Sequence, residues 1–133
     1  MAKLVNNPEK INDIRVAKNY DEVMEAMRNH ESVMYYEFGD SLYPLVRSGE
    51  YVHITPCVPI DVKRGDVVFC ILEDRAGNEC PMVHQVWEIS NASHTGELWF
   101  KIGSTMSTIF GWTTRVYGIA RGTDVFQENI LNY

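Results

Sequence analysis

From Ser32 onward the sequence falls into short apolar or alternating runs, each stopped by the residues that turns demand. This punctuation limits the fold more than any other feature. The runs predict strands over residues 33–38, 51–55, 66–72, 82–89, 98–102 and 115–120. Between them lie Arg47-Ser48-Gly49-Glu50, Lys63-Arg64-Gly65, and the stretches 74–78 and 91–96, all rich in turn formers. The regular spacing of strand starts suits a coiled antiparallel β-sheet better than βαβ units. Ahead of the strands, Asn19 with Glu22 three residues on resembles a capping box. Val23, Met24 and Met27 then mark one apolar face of a helix ending near His30. The first eighteen residues show no clear period and read as an arm. The expected organisation is mostly β: an arm and one short helix over 1–31, packed on a single β domain over 32–133.

Composition narrows the function classes. The chain has 133 residues, 45% of them apolar and 23% charged, as in an ordinary globular domain. Its net charge is −6, and its Lys and Arg residues form no cluster larger than Lys63-Arg64, so nucleic acid is not an expected partner. One short helix is also too little for a helix-turn-helix reader of DNA. No stretch approaches the ~18 apolar residues of a membrane span, and the first thirty residues carry charges throughout. Neither stable membrane insertion nor export is expected. Cys57, Cys70 and Cys80 are odd in number and form no C-x-x-C pair, which suits a reducing cytoplasm better than a disulfide framework. Cys80 and His84 have the spacing of a metal half-site, but no second half follows, so no metal and no other cofactor is expected.

The chemistry-bearing stretch is Phe38-Gly39-Asp40-Ser41-Leu42-Tyr43-Pro44, a strand end running into a turn that can present a serine at the edge of a sheet. A hydroxyl there is a poor nucleophile until a base takes its proton. His53, His84, His94 and several lysines are available. His84 stands out because it lies within the apolar run Met82-Val83-His84-Gln85-Val86-Trp87. Taken singly, such a histidine is more often a half-buried residue bonded to a carbonyl, and such a serine is more often a plain turn residue. The apolar Ile109-Phe110-Gly111-Trp112 reads as core before it reads as an exposed lip.

Taken together the motifs say more. Gly39-Asp40-Ser41-Leu42-Tyr43-Pro44 resembles the G-D-S-M-x-P nucleophile box of the superfamily shared by signal peptidases and LexA-type self-cleaving repressors. Gly49-Glu50-Tyr51-Val52 resembles its G-D turn and strand, and Lys63-Arg64-Gly65-Asp66-Val67-Val68 its second G-D motif. Val83-His84-Gln85-Val86 is similar to the v-H-R-V strand of the archaeal and endoplasmic-reticulum signal peptidases. The four occur in the family's order and span about residues 33 to 120.

The resemblance implies a LexA/signal-peptidase-type fold and a soluble serine endopeptidase acting on an extended peptide. It makes Ser41 the nucleophile, His84 the base and the Ser41 backbone N–H an oxyanion donor, with Leu42 and Val83 beside the substrate. Lys63 is not the family's base, and Gly39 offers no hydroxyl as a second oxyanion donor. Where the histidine branch carries an aspartate, Lys101-Ile102-Gly103-Ser104 places Ser104, which makes Ser104 the candidate third member. Losing that carboxylate costs about 10⁴-fold in kcat in the chymotrypsin-type triad. The alternative is therefore a catalytically silent relative, a phage-borne or regulatory binding module. A DNA-linked regulator working through a partner is a third reading. Self-cleavage of the LexA style is not expected, because Ala76-Gly77 follows Ser41 instead of preceding it.

Overall fold

The computed structural model describes residues 9–37, 49–91 and 94–122. Ser41, Leu42 and the rest of their box lie outside the described residues. In chain order the elements are β1 (Lys10–Ile11), β2 (Ile14–Ala17), α1 (Tyr20–Arg28), β3 (Val33–Glu37) and β4 (Glu50–Pro56). After a 3-10 turn (Pro59–Asp61) come β5 (Val67–Glu73), β6 (Glu79–Ser90), β7 (Trp99–Gly103), β8 (Ile109–Thr113) and β9 (Val116–Gly122). The strands form one mixed sheet in the order β1-β2-β3-β4-β9-β5-β6-β7-β8.

Two expectations are corrected at the start of the chain. Residues 10–17 are not an arm but a hairpin, because Asn12 and Asp13 adopt φ of 53° and 66° and so supply a tight turn with positive φ at both central residues. The sheet is also not purely antiparallel. β2 runs parallel to β3, with α1 as the crossover that a parallel pair requires.

The helix forms where its cap chemistry directs. The Asn19 side chain accepts the Glu22 N–H at 2.9 Å, and the Glu22 carboxylate accepts the Lys18 N–H at 2.9 Å. Val23, Ala26 and Met27 then point into the sheet. The approach is close: a Cβ on Gly118 of β9 would lie 2.7 Å from Met27 Sδ and 2.9 Å from Ile54 Cγ2. A side chain there would force helix and sheet apart.

β5 is buried on both faces and serves two cores. Val67 and Phe69 join Val23, Met27, Val33, Val52, Ile54 and Val83 under the helix. Val68, Cys70 and Leu72 join Val62, Val86, Phe100, Ile102 and Val116 on the other face. Phe69 is fully buried, and its truncation to alanine would cost about 3–5 kcal/mol. Around the second core, strands β5 to β8 curl. Thr113 Oγ1 donates to the Ile71 carbonyl at 2.6 Å, and the Ile71 N–H donates to the Arg115 carbonyl at 3.0 Å. These bonds tie the end of β8 across to the end of β5, and the sheet stays open elsewhere.

Candidate functional site

The position of His84 is set by the turn entering β5. Gly65 takes φ 96°, and the Asp66 carboxylate accepts the Lys63 N–H at 2.8 Å, which closes Lys63-Arg64-Gly65-Asp66 on itself. Gly65 N–H then donates to the Val86 carbonyl and Val86 N–H to the Asp66 carbonyl, both at 2.8 Å. The Gln85 side chain adds a bond to the Gly65 carbonyl at 3.1 Å. The turn thereby locks β6 to β5 in one register, with His84 opposite Val68 and Val83 opposite Phe69. A one-residue slip would exchange the two faces and send His84 into the helix-covered core. Lys63 is engaged in this turn through its backbone, and no catalytic geometry surrounds it.

His84 shares the face of Val68, Cys70 and Val86. Its ring lies against Phe110, with centroids 4.5 Å apart and planes tilted by 34°. Its Nδ1 is buried and has no hydrogen-bond partner, so it is not the histidine bonded to a carbonyl through that nitrogen. Burial pushes its pKa below 6.5, and among the described residues no charged neighbour contributes. A group so placed is a neutral imidazole at pH 7, able to take a proton and not yet holding one.

Ser104 follows Gly103, the β7 partner of Gln85. Its hydroxyl serves its own turn. Ser104 Oγ accepts the N–H groups of Ser107 and Thr108 at 3.2 and 3.0 Å, and the Ser104 carbonyl accepts the Trp87 indole N–H at 2.8 Å. It caps the turn from β7 to β8, and the structure does not join it to His84. His53, another candidate base, lies on β4 opposite Met34 and Arg121, three strands from His84. Its pKa is lowered by burial and then by the Arg121 charge, and its Nε2 is buried without a partner. Val83 points into the helix-covered core and is 1% exposed. Alternation along β6 turns it to the opposite face from His84. Among the described residues, no group of three His, Cys, Asp or Glu is placed to hold a metal ion.

The stretch 109–112 is not core. Ile109, Phe110 and Trp112 are 40 to 43% exposed, because they form β8, the edge strand of the sheet among the described residues. Sequence reasoning missed Phe110 as a site residue, since no sequence spacing links it to His84. The chain matches no protein-family model, no curated protein and no solved structure.

Proposed function

We propose that this chain is a serine endopeptidase-like protein in which Ser41 is the nucleophile and His84 the base, acting as a dyad on an extended peptide. One observation carries the reading: the His84 imidazole, its Nδ1 buried without a hydrogen-bond partner and its pKa lowered by burial, lies on β6 between the buried Val83 and Val86. A purely structural histidine buried to this degree ordinarily satisfies both nitrogens. The order of the four motifs supplies the nucleophile. In the reaction His84 takes the Ser41 hydroxyl proton as the oxygen attacks a peptide carbonyl, then returns it to the departing amine. Such general-base help contributes roughly 10²–10⁴-fold in rate.

The test is covalent labelling with a fluorophosphonate probe followed by intact mass. Wild type is expected to gain one adduct, and Ser41→Ala and His84→Ala to gain none above background. A folded wild-type protein that never labels overturns the peptidase reading. One observation favours the second reading, a silent binding module of the same fold: among the described residues no carboxylate acts on His84, and the Ser104 hydroxyl accepts two N–H groups of its own turn. No helix among the described residues is long and apolar enough to cross a membrane, so the proposed substrate is one that meets the protein outside any helical anchor of these residues.

A further inference from the structure

In the pairing of β7 with β8, Gly103 stands opposite Ile109 and Ile102 opposite Gly111. Phe110 is thus the extra residue of a β-bulge, without a partner of its own on β7. Gly111 follows it at φ 145°, a backbone conformation that only glycine adopts without strain. A bulge re-aims the side chain it carries. Here the re-aimed ring reaches His84 on β6, two strands away. Two strand spacings amount to roughly 10 Å, so ring contact at 4.5 Å needs both the curl of the sheet and the bulge.

We propose that Phe110 is the positioning residue of His84: held on its bulge, the phenyl ring fixes the plane of the imidazole and keeps water from one side of it. The inference rests on the base role of His84. An exposed aromatic on an edge strand gains little from packing alone, and at 42% exposure Phe110 is spent neither in the core nor in the ladder. The described groups around His84 leave the ring without an electrostatic competitor. β5 brings Val68 and the Cys70 thiol, whose pKa burial raises to about 12. β6 itself brings Met82 and Val86, and the turn after β7 brings Ser104, whose hydroxyl is engaged elsewhere. Among the described residues no carboxylate, lysine or arginine acts on the imidazole.

The experiment follows the His84 imidazole Cε1–H resonance by NMR across pH, assigned by its loss in His84→Gln. Wild type is expected to show an Overhauser contact between this proton and the Phe110 ring, and a midpoint below 6.5. Phe110→Ala is expected to move the midpoint up by about half a unit or more as water returns. Phe110→Trp should restore it, and Gly111→Ala, which cannot hold the bulge, should behave as Phe110→Ala does. Labelling at Ser41 should slow about tenfold in Phe110→Ala, a part of what a well-placed base contributes. A wild type without the Overhauser contact, or a folded Phe110→Ala with an unchanged midpoint, overturns the proposal. Since the titration needs no activity, a shifted midpoint in a protein that never labels would overturn the peptidase reading alone and leave the contact between Phe110 and His84 standing.

Discussion

Among the described residues no charge acts on His84, so burial sets the direction of its shift. The direction of its shift fixes a pH dependence of stability. With the folded pKa below the unfolded 6.5, the unfolded chain binds the proton first, so stability falls as pH drops through 6.5 and levels off below the folded value. His84→Leu removes that contribution. Urea midpoints measured from pH 8 to pH 5 should therefore show the variant gaining on wild type as the pH falls, with His53 contributing equally to both proteins. A constant difference across the range would mean that His84 is hydrated. The same logic applies at Ser104. Aspartate can accept the Ser107 and Thr108 amides as the native hydroxyl does, while its charge favours the imidazolium that forms during attack. Ser104→Asp is expected to leave fluorophosphonate labelling unchanged or make it faster, and to raise the pH at which labelling sets in. Slower labelling in a folded Ser104→Asp protein on the high-pH plateau, where the imidazole is neutral in both proteins, would count against His84 as the base.

Among the elements, α1 ends at a cost that one substitution relieves. His30 follows the helix with φ 57° while its N–H donates to the Met27 carbonyl, and Glu31 N–H donates to the Ala26 carbonyl. This left-handed closing position favours glycine. His30→Gly is expected to raise the unfolding free energy by about 0.5–1 kcal/mol, after the greater freedom of glycine in the unfolded chain is set against the relieved strain. Chemical denaturation measures it. The legibility of each element follows from its physics. The strands β3, β4, β5, β6, β7 and β9 are readable because five or more residues alternate faces or run apolar between turn formers. β1 and β2 are too short to show a period, and their signal was the Asn12-Asp13 turn. β8 escaped because its glycine and its bulge interrupt alternation, so four contiguous apolar residues imitate a core segment. At the site, a titratable residue in an apolar strand marked His84, while its ring partner Phe110 depends on the curl of the whole sheet. Ser104 was placed by motif, and only its hydrogen bonds revealed that it caps a turn.

For the whole molecule the decisive strand is β9. It lies between β4 and β5 and pairs with both, Ile54 with Ala120 on one side and Val68 with Ile119 on the other. Without it, β1 to β4 and β5 to β8 would be two separate sheets, each with an unpaired apolar edge. A chain ending at Arg115 is expected to elute from size-exclusion chromatography as aggregates or an expanded species, and a compact monomer would show that the two halves fold alone. The order of synthesis gives this topology a meaning in time. A ribosome delivers both halves of the sheet, and the proposed nucleophile and base with them, before it delivers the strand that unites them. A nascent chain short of Val116 holds both residues of the proposed dyad and lacks the strand that joins the two halves of the sheet, so the proposed activity arrives with β9 and not before.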